Sequence, residues 1–191
     1  MKKVNRFLSL LISLGLAISA KAEPVQIDLG KRIIDCYQIT MYLWLPEFFK
    51  MKGYVIDERG EVYQYFTENY WEFVTAENIK DGRSISTPVL KNKFKKVERA
   101  GYIDFAVLVK YKKLMEQGIK GKYSFEGQVI YDAPPAGCVV YERVGDESDR
   151  YEEIVLKMTG GMPINNDSTA VKVLISWLKS MDIYHSIEND S

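Results

Sequence analysis

The chain has 191 residues, 47% hydrophobic and 13% aromatic, with 26 basic and 26 acidic side chains, one histidine and two cysteines. That length holds one domain with a sizeable core and is short for two. A formal net charge of zero lacks the broad positive field of a nucleic-acid binder, and a lone His185 without Cys-x-x-Cys spacing leaves a zinc site short of ligands.

Residues 1–22 read as an export signal. Lys2, Lys3 and Arg6 form a positive start, Phe7 to Ala20 is almost wholly apolar, and Ala20, Lys21 and Ala22 supply the small, spacer, small pattern of a cleavage site. That apolar run falls short of the ~20 residues of a membrane span. The mature chain is expected to begin at Glu23, periplasmic or secreted, with no transmembrane segment. Loss of Lys2, Lys3, Arg6 and Lys21 leaves 22 basic groups against 26 acidic ones, so the mature protein is net acidic. In an oxidising compartment Cys36 and Cys138 most simply form a disulfide, with two buried thiols as the competing reading.

Ile33 to Leu45 is dense in β-branched, aromatic and aliphatic residues between Gly30 and Pro46, and both helical and extended spacings fit it. Phe48 to Ile56 and Glu61 to Phe66, joined by Asp57, Glu58, Arg59 and Gly60, predict a hairpin. Thr75 to Asn78 suits one short helical turn. Thr87 and Pro88 open a helix carrying Val89, Leu90, Phe94 and Val97 on one side and running to Gly101. Asp104 caps a second, with Phe105, Leu108, Val109 and Met115 on one side and Gly118 as its stop. These two helices are expected to form a helical hairpin. Gly127 to Tyr131, Cys138 to Val144 and Tyr151 to Met158 read as a three-strand meander. Pro163 to Asp167 reads as loop, and Ser168 caps a last helix with Val171, Leu174, Leu178 and Met181 in register. Residues 183–191 are expected to be a flexible tail. Segregated elements of this kind predict an α+β fold over residues 23–182: an antiparallel sheet covered by a basic helical hairpin and a C-terminal helix.

Two compositional features bear on function. Pro88 to Lys122 holds ten basic residues against Glu98, Asp104 and Glu116, which makes Lys91, Lys95, Lys112 and Lys113 candidates for steering an acidic partner, the plainer reading being the solvated faces of amphipathic helices. Tyr63, Tyr65, Phe66, Tyr70, Trp71 and Phe73 cluster within eleven residues. Of these Tyr63, Tyr65, Tyr70 and Trp71 suit stacking on a sugar or anchoring an interface, while a small sheet also fills its core with aromatics.

Enzyme signatures are sparse, and the reading leans away from catalysis. His185 sits in the expected tail, a poor base for a serine or cysteine nucleophile. Ser176 to Lys179 matches Ser-x-x-Lys without the companion motifs of that chemistry. Asp35, Asp57, Glu58 and Glu61 are the acids near the aromatic segment, from which a glycosidic carboxylate pair would have to come. No glycine-rich phosphate loop, calcium loop or other cofactor pattern is present. Asn166-Asp167-Ser168 and Asn189-Asp190-Ser191 match the glycosylation acceptor pattern. The composition favours a non-enzymatic protein-interaction protein of immunity, inhibitor or envelope-accessory type. The alternative is a module that binds or cleaves cell-wall glycan.

Overall fold

The structure, a computed structural model, describes residues 25–40, 50–67, 84–118, 121–125, 136–160 and 163–181. Within them the chain runs β1 (Arg32–Thr40), β2 (Lys50–Ile56), β3 (Glu61–Thr67), β4 (Ser84–Ser86), α1 (Thr87–Lys93), β5 (Val97–Tyr102), α2 (Phe105–Gly118), β6 (Tyr123–Phe125), β7 (Ala136–Arg143), β8 (Arg150–Thr159), β9 (Ile164–Asn166) and α3 (Thr169–Ser180). The fold is α+β. One open antiparallel sheet has the order β5-β3-β2-β1-β7-β8-β9-β6. The free edge of β8 is shared, with Ser84–Ser86 of β4 opposite its first residues and β9 opposite Lys157 and Met158.

The predicted hairpin is present. Asp57 makes its turn: Oδ1 accepts from the backbone N–H of Arg59 and of Glu61, both at 2.9 Å, and Gly60 takes a φ of 89°, which a side-chain-bearing residue would resist. The ambiguous segment after Gly30 is resolved as the central strand β1 as far as Thr40, residues 41–45 lying outside the described residues; the strand's residues alternate between two cores. Ile33, Tyr37 and Ile39 join Val55, Tyr63, Tyr65, Leu90, Phe94, Val139, Tyr141 and Val155 on the α1 side. Ile34 and Cys36 join Val62, Leu108, Met115, Val140, Leu156, Leu174 and Leu178 on the α2 and α3 side. A strand buried on both faces shows no amphipathic period to read.

Cys36 and Cys138 are bonded. They sit directly opposite one another on β1 and β7, with Cα atoms 4.0 Å apart. Both are buried in the α2 and α3 side core.

The helical hairpin is corrected. The helix begun at Thr87 ends at Lys93, and Val97–Tyr102 instead pairs with β3 as an edge strand. Glu98, Arg99 and Ala100 favour a helix locally, but the backbone groups along the outer edge of β3 need partners, and strand pairing supplies them. The two helices consequently pack on opposite faces of the sheet, Leu90 in one core and Leu108 in the other. Thr87 does not cap its helix; its hydroxyl donates to the Asp149 carbonyl at 2.7 Å. Asp104 does cap α2, its Oδ1 accepting from Ala106 N–H at 2.8 Å. The segment read as loop contains β9, which pairs with both β8 and β6. Val171, Leu174 and Leu178 are buried as their spacing implies. The predicted turn at Thr75, the first meander strand at Gly127 to Tyr131 and the tail lie outside the described residues.

Candidate functional site

The most unusual chemistry on the described chain lies under α1. Lys93, at its last turn, turns inward and is 5% exposed, and Asp35 of β1 beneath it is fully buried. The ammonium donates to Asp35 Oδ2 at 2.5 Å and to Tyr141 Oη at 3.1 Å. It lies 4.9 Å from the Tyr37 ring centroid and between 5 and 6 Å from those of Tyr141, Phe94 and Tyr65, an aromatic surround that attracts a cation. Asp35 Oδ1 accepts from the Tyr65 hydroxyl at 2.8 Å.

Two glycines make the room. Cross-strand partners run Tyr65, Gly53, Tyr37, Gly137 and Met158 from β3 to β8, so each neighbour of Tyr37 in that row lacks a side chain. A Cβ at Gly53 would lie 2.6 Å from the Cys36 carbonyl oxygen and 2.7 Å from the Tyr65 hydroxyl. The Tyr65 ring thus crosses empty space over β2 to reach Asp35.

Burial is the main force on the tyrosines here. It holds the Tyr65 hydroxyl well above its ordinary value, helped by the Asp35 carboxylate, which also accepts its hydrogen bond. Tyr141 is raised in the same way, by burial first and then by Glu153 and Asp35. Tyr63 is raised by burial and then by Asp57. The network neutralises Asp35 and Lys93 against each other and seats α1 in one register, since a helix shifted by a turn would strand a carboxylate in the core.

The sequence-derived candidates are dispersed. Tyr63 and Tyr65 are core residues and offer no ring to a sugar; Tyr70 and Trp71 lie outside the described residues. Lys91 and Lys95 are exposed on the α1 side. Lys112 is half-buried on α2, where its ammonium donates to the Glu58 carbonyl at 2.6 Å, and Lys113 is exposed beside it. The four lysines are therefore divided between opposite sides of the sheet. Among the acids, Asp35 is committed to Lys93, Asp57 to the hairpin turn, and Glu61 to a two-pronged pair with Arg99. Asn166 is buried, its amide donating to the Gly118 carbonyl and its oxygen accepting from Ser168 N–H, so it serves the fold and not glycosylation.

What the sequence reading missed is the start of α2. Phe105 and Val109, grouped there on one side with Leu108 and Met115, are 63% and 48% exposed, and Tyr102 just before them is 56% exposed. Three contacts set this rotation. Ile103 N–H donates to the Gly60 carbonyl at 2.8 Å, Asp104 caps the helix, and Lys112 ties it to Glu58. Gly60 permits the approach, because a Cβ there would stand 2.7 Å from the Ile103 oxygen. With Leu108 and Met115 turned to the sheet, Phe105 and Val109, at i and i+4, face outward together. The exposed Lys110 and Lys113 follow on the same helix. The apolar residues of α2 span too wide an arc for all of them to reach the sheet, and that excess was the available signal.

No family model, curated protein or solved structure matches this chain. No helix among the described residues is long and apolar enough to cross a membrane.

Proposed function

We propose that the protein is exported and acts by binding an acidic partner protein, without catalysis, through Tyr102, Phe105 and Val109 with Lys113 beside them. The supporting observation is the exposure of two large aromatic rings and a β-branched residue at the junction of β5 and α2. Aromatic anchors of this kind carry most of the energy at protein interfaces, and a lysine alongside selects an acidic counterpart and speeds its approach. The formed Cys36–Cys138 disulfide accords with an oxidising compartment and with the export signal read at residues 1–22.

The test compares capture from envelope and culture fractions by the chain from Glu23, by Phe105→Ser/Val109→Ser, and by Lys113→Glu. A stoichiometric protein held by the first and lost by the second, with slower association for the third at low salt, supports the reading. Equal capture by all three overturns it. The serine variant should keep its stability within ~0.5 kcal/mol, because exposed side chains contribute little to folding.

A further inference from the structure

We propose that the cleft between β8, β9 and α3 is a second binding site, taking a compact anion with two or more phosphate or carboxylate groups. Its volume is about 430 Å³, within the ~300–1,000 Å³ of small-molecule clefts. Lys172 and Lys179 approach it from α3, spaced i and i+7 on one side of that helix, and Lys157 approaches from β8. Among the described residues of the lining the carboxylate is Asp167, whose Oδ1 already accepts the Lys122 N–H at 2.9 Å.

The decisive observation is how Lys157 comes to be there. The β7–β8 register shifts between Cys138 and Val139, so that Cys138 faces Lys157, Val139 faces Val155, and Leu156 is the extra residue of a β-bulge. In a regular strand Leu156 and Lys157 would point to opposite sides. Leu156 belongs to the core beneath α3. Lys157 shares a face with its partner Cys138, a member of that same core. The bulge therefore turns two consecutive side chains to one side and brings the lysine into the cleft, where strict alternation would have sent it into the aromatic core on the other face.

Leu156, Val171 and Ile175, all buried, form the floor. Lys157 and Lys172 bring like charges to a concave surface with an apolar floor and raise the local potential, because the low-dielectric wall focuses their field. A multivalent oxyanion relieves that repulsion and gains several charge-assisted hydrogen bonds at once. Nothing in this site depends on the exposed strip at the start of α2, so either proposal can fail without the other.

The test titrates the chain from Glu23 with pyrophosphate and, separately, with citrate at low ionic strength, followed by calorimetry and by amide chemical shifts. The expected result is saturable binding of at least one probe, with shifts centred on β8, β9 and α3, and a Kd weakened about tenfold or more in Lys157→Gln/Lys172→Gln. That variant should melt at the wild-type temperature without ligand. Pyrophosphate alone assigns a phosphate ligand, citrate alone a carboxylate ligand, and both a site for multivalent oxyanions in general. Absence of saturation by ~10 mM of either probe overturns the proposal. So does equal weakening by Lys110→Gln/Lys113→Gln, which would mark diffuse surface charge.

Discussion

Replacing Lys93 by methionine keeps most of the apolar stem within its ring of aromatics and removes only the ammonium. Asp35 then has the Tyr65 hydroxyl as its remaining partner among these hydrogen bonds, in a site closed to bulk solvent: the two side chains are 0% and 5% exposed. Breaking a buried pair on one side costs about 3–5 kcal/mol, because a charge is left without compensation. The lost bond to Tyr141 adds ~1 kcal/mol, and the soft methionine packing against rings returns a similar amount. A net loss of about 3–5 kcal/mol is about a fifth or more of the stability of an ordinary domain. With a urea slope of ~2–3 kcal/mol per molar for a chain of this size, the unfolding midpoint should fall by about 1–2.5 M. Removing both charges in Asp35→Asn/Lys93→Met should recover most of that loss, since an uncharged pair leaves nothing uncompensated. Lys91→Met, two residues earlier on α1 and exposed, should move the midpoint by less than ~0.3 M. A Lys93→Met protein within ~1 kcal/mol of wild type, or a double variant as unstable as the single one, would refute the view that Lys93 and Asp35 stabilise each other.

Three other outcomes are expected. Above the ordinary tyrosine value near pH 10, Tyr65 and Tyr141 stay protonated in the folded protein and ionise in the unfolded chain; the folded state then holds more protons, so the stability these groups contribute is full below pH 10 and falls as pH rises beyond it. Phenolate absorbance should show these two ionising only with the loss of circular dichroism, and complete tyrosine titration of a still-native protein would contradict their burial. Cys36→Ser/Cys138→Ser should lose ~2–4 kcal/mol in denaturant titration, the loop closed being long at a separation of 102 residues, and in the wild type, reductant should release titratable thiols only under unfolding conditions. An unchanged midpoint, or rapid native-state reduction, would oppose this. Gly53→Ala should cost ~1–3 kcal/mol and weaken the protection of Tyr65 from alkaline ionisation, because its new Cβ would collide with the Tyr65 hydroxyl and the backbone of Cys36; a neutral effect would mean that the row of rings and glycines has slack.

The elements were legible where local chemistry decides them. A polar turn ending in glycine announces the hairpin, Asp104 announces α2, and the spacing of Val171, Leu174 and Leu178 announces the buried side of α3. Legibility failed at Val97–Tyr102, where helix-favouring residues serve as an edge strand because β3 needed a partner, and at β9, too short to show a pattern. The functional surfaces were harder still. Tyr63 and Tyr65 advertise a binding platform by composition and are spent on the core, while Phe105 and Val109, grouped by period with the buried Leu108 and Met115, are left outside.

By itself the sequence determined the class of fold, the positions of most helices and strands, and the pair of cysteines available to bond, since hydrophobic period, capping residues and composition act over a few neighbours. Only the tertiary structure decided the rest. That Cys36 faces Cys138, that Tyr65 crosses Gly53 to reach Asp35, and that a bulge turns Lys157 toward Lys172 and Lys179 all depend on strand register. Register is a relation between segments as much as a hundred residues apart, and a shift of one residue sends every side chain of a strand to its opposite face.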